Sequence, residues 1–157
     1  GATEGWFGAS LYLRELCGRE EGAPPPVDLD VERRNGELVQ RLIADGAVGR
    51  CHDLSDGGLL VGVAEMALAG GFGAAIDCPS DEIQSHAWLF GEDQGRYLVA
   101  VEDPSGVLDA AKAAGVPAQV IGRTGGDALT VDGAYTISLA ELRAAHEGWL
   151  PDYMGSA

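Results

Sequence analysis

The chain has 157 residues, of which 46% are hydrophobic, so it is long enough to bury a core without disulfide or metal support. Ten basic against 25 acidic residues leave a net charge of −15, which argues against long-range attraction to nucleic acid or to an anionic membrane. No apolar run approaches about 18 residues and no signal-peptide pattern opens the chain, so we expect neither a membrane span nor export.

Cysteine usage favours a reduced, cytoplasmic protein. The three cysteines are far apart and form no C-x-x-C pair, and the three histidines are equally scattered: Cys17, Cys51, Cys78, His52, His86 and His146. No zinc site is therefore expected. Because no initiator methionine is present, we expect a domain cut from a longer polypeptide.

The first third of the chain predicts two helices separated by an extended segment. A short helix is expected over residues 10–17, and three consecutive prolines make residues 19–27 an extended surface segment. A longer amphipathic helix follows, capped by Asp28 or Asp30 and ended by Gly46. Its apolar face carries Val31, Leu38, Val39, Leu42 and Ile43.

The rest of the chain alternates strands and helices. A buried strand over 48–54 leads into an apolar helix that begins at Leu59. Further elements are predicted as strands over 72–76, 97–101, 118–123, 128–131 and 135–138, of which 97–101 is expected to be buried. Helices are predicted over 105–114 and 139–146, and a polar turn that could include one helical turn over 79–86. Asp132-Gly133 is typical of a β-hairpin.

This order predicts an α+β fold, a mixed and mainly antiparallel β-sheet with packed helices. We expect residues 1–157 to form a single domain. Within it, 1–27 would be an extended N-terminal segment with a short helix, and 148–157 a C-terminal tail.

The junction between the strand at 48–54 and the following helix reads C-H-D-L-S-D-G-G-L-L over residues 51–60. Asp53 and Asp56 could face a metal or a hydroxyl group, and the backbone N–H groups of Gly57 and Gly58 could face an anion at a helix start. The alternative is structural: Ser55 or Asp56 caps the helix, and the glycines make the turn.

A second polar cluster, Phe90-Gly-Glu-Asp-Gln-Gly-Arg-Tyr97, precedes the strand at 97–101. Its four polar side chains could bind a ligand: Glu92 and Asp93 a metal or amine, Gln94 an amide, and Arg96 a phosphate. The same loop could equally be a solvated strand entry in which Arg96 pairs with Glu92.

Two further clusters have both a functional and a structural interpretation. Arg33, Arg34 and Arg41 could form an anion patch, but Glu37 lies among them, which favours a salt-bridged solvent face. Aromatic residues near both ends would mark a docking surface if exposed, or clamp the ends if buried: Trp6, Phe7, Trp149 and Tyr153.

No catalytic residue and no metal ligand is predicted. No local spacing builds a Ser/His/Asp or Cys/His arrangement, and no G-x-x-x-x-G-K-[ST] loop occurs.

Five segments, taken in order, carry a family resemblance: Ser10-Leu-Tyr-Leu-Arg-Glu-Leu16, Gly18-Arg-Glu-Glu-Gly-Ala-Pro-Pro-Pro-Val27, Glu32-Arg-Arg-Asn-Gly36, His52-Asp-Leu-Ser-Asp-Gly-Gly-Leu59 and Phe90-Gly-Glu-Asp-Gln-Gly-Arg-Tyr97. With the ending His146-Glu-Gly-Trp-Leu-Pro151, they resemble the C-terminal domain of phosphoribosylformylglycinamidine synthase, in its synthetase subunit. This domain type is the AIR-synthase-related C-terminal domain, shared with hydrogenase-maturation, selenophosphate and thiamine-phosphate kinase relatives.

The resemblance implies an ATP-dependent ligase of purine biosynthesis that requires Mg²⁺. Such an enzyme converts formylglycinamide ribonucleotide and glutamine-derived ammonia to formylglycinamidine ribonucleotide, through an iminophosphate that ammonia displaces. The implied partners are the remaining domains of the subunit, a glutaminase subunit and a small bridging subunit. The resemblance places the catalytic groups and most Mg²⁺ ligands in N-terminal-type domains, so this chain alone should be inactive and should bind neither ATP nor Mg²⁺ tightly.

The wording of the motifs suggests the second of two C-terminal-type copies. The family's first copy has Glu-Ser-Gln where this chain has Glu92-Asp93-Gln94, and that triplet contacts substrate. By pseudo-symmetry, we expect the residues of both motifs to line a second, non-catalytic nucleotide cleft or an interdomain contact. Two alternatives remain: a stand-alone module that holds a nucleotide phosphate at Gly57-Gly58, and a pure assembly domain.

Overall fold

The computed structural model describes residues 1–79 and 83–155, and the chain divides into two compact units. The first comprises Gly1–Gly62 and Pro79–Val120, and the second Val63–Cys78 and Ile121–Ala157. Within the described ranges, no helix combines the length and apolar character that crossing a bilayer requires. That the 157 residues form a single domain stays a prediction.

Six helices and six strands alternate along the described residues. In chain order they are α1 (Leu11–Cys17), α2 (Leu29–Ala44), β1 (Arg50–Asp53), α3 (Gly58–Gly70), β2 (Ala74–Ile76), α4 (Ser85–Phe90), β3 (Tyr97–Ala100), α5 (Ser105–Ala113), β4 (Gly122–Thr124), β5 (Ala128–Val131), β6 (Tyr135–Ser138) and α6 (Leu139–Gly155).

The helix starts in the first unit follow local capping signals. The Ser10 hydroxyl accepts the N–H of Leu13 at the start of α1. The Asp28 carboxylate accepts the N–H groups of Asp30 and Val31, so Asp28, of the two candidates, caps α2. Both side chains satisfy backbone donors that a helix start leaves without an intrahelical partner.

The first unit contains a small sheet and an apolar core. Strands β1 and β3 pair antiparallel, with Arg50 opposite Ala100 and Asp53 opposite Tyr97. Helices α2 and α5 pack together, and their buried residues form one cluster with two loop valines: Leu38, Leu42, Ala111, Val48 and Val116. The antiparallel pairing of β1 with β3 places the last residue of β1 and the first residue of β3 at the same end of the sheet, where both predicted motifs lie.

The second unit contains a four-stranded mixed sheet in the order β4-β2-β5-β6. Strand β2 runs parallel to β5, and the other two pairs are antiparallel. Asp132 and Gly133 both adopt positive φ, +52° and +65°, which confirms the hairpin between β5 and β6. The buried positions of β2 and β5 are Ala74, Ile76, Leu129 and Val131.

The α+β class with a mixed, mainly antiparallel arrangement is confirmed, but the strands divide between two sheets rather than one. Periodicity identifies strands without showing their partners, so the division was not visible in the sequence. Strand β3, expected to be buried, is half-buried. In a two-stranded sheet each strand has a neighbouring strand along one edge only, so its other edge is less well covered.

Two other local expectations need correction, and a third is tested only in part. Helix α6 continues to Gly155 although Pro151 lies within it, so residues 149–155 are helical rather than a tail. The polar turn over 79–86 lies partly outside the described residues, and its last positions begin α4, which runs to Phe90. Strand β4 occupies Gly122–Thr124 instead of 118–123.

Candidate ligand-lining site

The two predicted motifs meet in the first unit. The N–H of Leu54, just after β1, donates to the carbonyl of Arg96, just before β3, at 3.0 Å. Gly58 has φ +70°, and a Cβ placed on it would lie 2.5 Å from the carbonyl oxygen of Gly91. Such an approach admits only a residue without a side chain. The turn at 57–58 and the loop at 91–96 are therefore in direct backbone contact.

The nine predicted residues divide by exposure. Four have exposed side chains: Asp53, Ser55, Asp56 and Gln94. The other five are buried or half-buried at the contact between the motifs: Gly57, Gly58, Glu92, Asp93 and Arg96. The structure thus brings the two motifs together, but only the first group is open to a ligand in this chain.

The Asp93 carboxylate binds the N-terminal segment. Its Oδ2 accepts the N–H of Gly5 and its Oδ1 that of Trp6, each at 3.1 Å. The side chain is buried, with 7% of its residue surface exposed. A buried carboxylate needs such donors, and here the backbone provides them. Asp93 is therefore occupied by the chain itself.

Glu92 is occupied in the same way. Its Oε1 accepts the N–H of Leu11 at the start of α1 and the N–H of Gly57, each at 2.8 Å. Its own N–H donates to the carbonyl of Trp6 at 2.9 Å. Gly58 donates its N–H to the carbonyl of Ser55 at 3.0 Å. The distant Glu92 carboxylate thus binds the backbone just before α3, where one of the two interpretations placed a cap by Ser55 or Asp56.

Arg96 is a buried structural cation, with 3% of its surface exposed. It donates to the carbonyls of Gly91 and Asp93 and to the hydroxyl of Thr3. Its Nη1 lies 3.7 Å from Asp93 Oδ2, so its carboxylate partner is Asp93, and the alternative in which Arg96 pairs with Glu92 is wrong. Burial lowers the pKa of Arg96, and the Asp93 charge opposes that shift.

Gln94 lies at the exposed tip of the loop. Its Nε2 donates to the carbonyl of Glu92 at 3.3 Å. Among the residues that the structure describes, no group of three or more His, Cys, Asp or Glu side chains could hold a metal ion. Of the nine predicted residues, the four whose exposed side chains are accessible to a ligand or to a facing domain are Asp53, Ser55, Asp56 and Gln94.

The other two sequence clusters are also placed. Arg33 pairs with Asp30 at 2.8 Å on the exposed face of α2, consistent with a salt-bridged solvent face. Trp6 donates its Nε1–H to the carbonyl of Ala23, and Phe7 packs against Tyr12 and His86. The N-terminal aromatics therefore clamp their segment.

The C-terminal aromatics differ from this pattern. Trp149 and Tyr153 are 66% and 68% exposed, and their rings stack with centroids 5.3 Å apart. Because they are exposed, Trp149 and Tyr153 agree with the interpretation as a docking surface and not with the interpretation as a clamp of the chain end.

Sequence reasoning missed Asn35, which is 1% exposed and donates its Nδ2–H to the carbonyl of Gly95 at 2.9 Å. Its Oδ1 has no hydrogen-bond partner among the described residues. The signal was available, because Asn35 lies four residues after Val31 and three before Leu38, on the apolar face of α2. A polar residue on such a face indicates a buried hydrogen bond to a neighbouring segment.

A family model described as "AIR synthase related protein, C-terminal domain" matches residues 1–132. The chain belongs to this family. This membership confirms the family resemblance seen in the sequence. Both motifs of the candidate site lie within the matched residues.

Three curated relatives show how far the similarity extends. The chain is 57% identical over 99% of its length to the phosphoribosylformylglycinamidine synthase subunit PurL of Rhodopseudomonas palustris strain TIE-1. Over the full length of this chain it is 57% identical to the PurL subunit of Methylocella silvestris, and over 99% of this chain it is 56% identical to the PurL subunit of Caulobacter vibrioides. This AIR synthase related domain spans only 21–22% of the length of those relatives.

Solved structures share the fold. A Thermotoga maritima PurL complexed with ATP aligns with a TM-score of 0.67 over 90% of this chain and 24% of that one, at 19% identity. A T. maritima PurLQS structure aligns with a TM-score of 0.67 over 86% of this chain and 24% of that one, at 18% identity. At such identities the alignments establish the fold of this AIR synthase related domain alone.

Proposed function

We propose that this chain is the C-terminal domain of the synthetase subunit of phosphoribosylformylglycinamidine synthase. The observation that carries the proposal is its 57% identity to PurL over 99% of its residues. The reaction is the ATP-dependent conversion of formylglycinamide ribonucleotide, with glutamine-derived ammonia, to formylglycinamidine ribonucleotide. In it the chain contributes one wall of a ligand cleft, and the reacting groups come from other domains.

The geometry supports a wall rather than a complete active site. The buried polar groups of the two motifs are bonded to backbone or to each other, as the contacts of Glu92, Asp93 and Arg96 illustrate. The exposed side chains of Asp53, Ser55 and Asp56 remain available to a ligand or a facing domain. Carboxylates and a hydroxyl suit a Mg²⁺-bound nucleotide or a sugar hydroxyl.

The complete enzyme would use ATP and Mg²⁺ in the cytoplasm. The solved T. maritima PurL with ATP and the PurLQS structure support this proposal and the participation of further subunits. The partners are the remaining domains of the synthetase subunit, a glutaminase subunit and a small bridging subunit. The chain is proposed as the second C-terminal-type copy, bordering the non-catalytic nucleotide cleft.

An activity comparison tests the proposal. The isolated chain, given ATP, Mg²⁺, formylglycinamide ribonucleotide and ammonia, should release no phosphate above background. The complete PurL of Rhodopseudomonas palustris, assayed in parallel as the control, should turn over. Turnover by the isolated chain at a rate comparable to that control would overturn the proposal.

A second candidate function is an assembly domain, favoured by one surface. Four large apolar side chains on the last two turns of α6 are more than half exposed: Trp149, Leu150, Tyr153 and Met154. They occupy one face of the helix, because their spacing is i, i+1, i+4 and i+5. Their proposed occupant is another domain of the same polypeptide, since this chain spans only 21% of the length of its PurL relative. Self-association is disfavoured because each copy carries a net charge of −15.

Two measurements separate these candidates from a stand-alone nucleotide module. Calorimetric titration of the chain with MgATP should show no micromolar binding if the cleft needs its neighbours. In a complete PurL, alanine at the positions equivalent to Asp53 and Asp56 should lower activity if they line a cleft. Unchanged kcat would favour the assembly domain instead, and tight MgATP binding by the chain would favour the module.

A further inference from the structure

One side-chain oxygen holds two backbone segments that are far apart in the sequence. Glu92 Oε1 accepts the N–H of Leu11, 81 residues away, and the N–H of Gly57, 35 residues away, both at 2.8 Å. Leu11 is the first residue of α1, and Gly57 immediately precedes α3. A single carboxylate therefore connects the N-terminal segment to the turn of the predicted ligand motif.

The contact with Leu11 is part of a larger attachment. Asp93, the next residue, accepts the N–H groups of Gly5 and Trp6, and the N–H of Glu92 donates to the carbonyl of Trp6. Two adjacent carboxylates thus receive four backbone N–H groups from three segments. Because hydrogen bonds to an ionised acceptor are stronger than neutral ones, these contacts can fix the segments relative to one another.

The turn at Gly57 depends on such an external acceptor. Gly57 and Gly58 have φ of +79° and +70°, and the Gly58 backbone lies against Gly91. The N–H of Gly58 is satisfied locally by the Ser55 carbonyl, whereas that of Gly57 donates across the fold to the Glu92 carboxylate. The start of a helix carries partial positive charge, so a carboxylate is the favoured partner at this point.

We propose that Glu92 is a positioning residue that fills the anion position at the Gly57 turn from within the chain and so holds this turn against the N-terminal segment. An outside phosphate would have to displace the Glu92 carboxylate to reach the Gly57 N–H. The turn then serves as a fixed platform for the exposed side chains of Ser55 and Asp56. The inference deepens the proposed function, since it states how those two cleft-lining side chains are held in place.

Hydrogen exchange of single amides in the ¹⁵N-labelled chain tests this role. In Glu92→Ala, the amides of Leu11 and Gly57 should both exchange about tenfold faster than in the wild type, because both lose the same acceptor. In Glu92→Gln, which keeps an acceptor oxygen, both should stay within about threefold of the wild type. The amide of Leu42, in the buried core of the first unit, serves as the reference for the overall stability of that unit.

A matched control is Glu37→Ala, which removes an exposed glutamate from α2 and should change neither amide. The proposal is overturned if only one of the two amides responds to Glu92→Ala, or if Glu92→Gln behaves like Glu92→Ala. It is likewise overturned if the amides of Leu11, Gly57 and the reference Leu42 accelerate equally in both Glu92 variants. Should Glu92→Ala fail to fold, the response of the wild-type Gly57 amide to inorganic phosphate still tests the proposal.

Inorganic phosphate provides an independent arm. Added to the wild-type chain, it should leave the amide signal of Gly57 unshifted, because the N–H is already bonded to Glu92. A saturable shift of that signal would show that an outside anion displaces the carboxylate and would overturn the proposal. These measurements use neither the substrate nor the partner subunits, so their failure is distinguishable from failure of the proposed reaction.

Discussion

Arg96 and Asp93, three residues apart in the same loop, form a buried ion pair in which Arg96 Nη1 lies 3.7 Å from Asp93 Oδ2. The carboxylate also binds Gly5 and Trp6, and the guanidinium also binds the carbonyl of Gly91. The pair therefore joins the N-terminal segment to the loop before β3. Several testable consequences concern this junction and the elements around it.

Neutralising one member of this pair should be costly. Asp93→Asn leaves the guanidinium of Arg96 buried without its counter-charge, so we expect the free energy of unfolding to fall by about 3–5 kcal/mol. Urea denaturation followed by circular dichroism measures the change. In the double variant Asp93→Asn/Arg96→Met, the loss should be smaller than the sum of the two single losses.

The exposed pair of Arg33 and Asp30 provides the control. Its atoms are closer, 2.8 Å apart, but both side chains are largely in solvent. Asp30→Asn should therefore cost less than about 1 kcal/mol. Equal losses at Asp93 and Asp30 would show that burial does not set the importance of the Asp93 pair.

The contact between Gly58 and Gly91 predicts a large effect of one methyl group. In Gly58→Ala the new Cβ would lie 2.5 Å from the Gly91 carbonyl oxygen, at a φ of +70°. Both the clash and the left-handed conformation oppose the substitution, and we expect a loss of about 2–4 kcal/mol in urea denaturation. Gly46→Ala is matched, because Gly46 has φ +73° with nothing within 4 Å, and should lose only about 1 kcal/mol. A loss at Gly58 no greater than that at Gly46 would contradict the close approach.

The thiol of Cys78 should remain protonated well above neutral pH. Burial, with contributions from a hydrogen bond to Asp132 and from its charge, raises the pKa of Cys78 to about 11. Its alkylation rate, measured by mass spectrometry, should keep rising up to about that pH, and at pH 8 it should lag behind that of the exposed Cys17. Asp132→Asn should lower the pKa of Cys78, since asparagine keeps the turn at φ +52° but removes the charge. Asp127→Asn, at an exposed position, is the control that should leave the rate unchanged.

The same shift has a consequence for stability. Because the pKa of Cys78 is higher in the folded than in the unfolded chain, the folded state holds this proton more tightly. The contribution of Cys78 to stability is complete below its unfolded pKa and is lost as the pH rises toward about 11. Cys78→Ala should flatten the decline of unfolding free energy over this alkaline range. A decline that is equally steep in the variant would contradict the assignment.

At the start of α6 the opposite pH dependence is expected. Glu141 Oε2 accepts the hydroxyl and the N–H of Ser138, and the Ser138 hydroxyl accepts the N–H of Glu141. These bonds lower the pKa of Glu141, so their stabilisation is present above its unfolded pKa and is lost as the pH falls through the folded one. The carboxyl titration followed by NMR should give a pKa that rises toward its ordinary value in Ser138→Ala. An unchanged value in that variant would exclude the Ser138 hydroxyl as the cause, because alanine keeps the backbone N–H.

Much of the fold follows from local patterns. The caps at Ser10 and Asp28 and the hairpin at Asp132-Gly133 depend on residues within a few positions of one another. Such signals act through backbone geometry and short-range hydrogen bonds, so they can be read without knowing the tertiary structure. The family motifs are likewise contiguous stretches. The sequence alone therefore determined the α+β class, the order of the elements, and the family.

Only the tertiary structure decided which partners the side chains and the strands have. The sequence placed Glu92, Asp93 and Arg96 in one candidate site, but nothing local indicates that Glu92 binds Leu11 and Gly57 or that Asp93 binds Gly5 and Trp6. These contacts join segments separated by dozens of residues, and the division of the strands into two sheets has the same origin. A carboxylate's chemistry can be read from its sequence position, whereas its partner depends on which backbone donors the folded chain brings to it and removes from water.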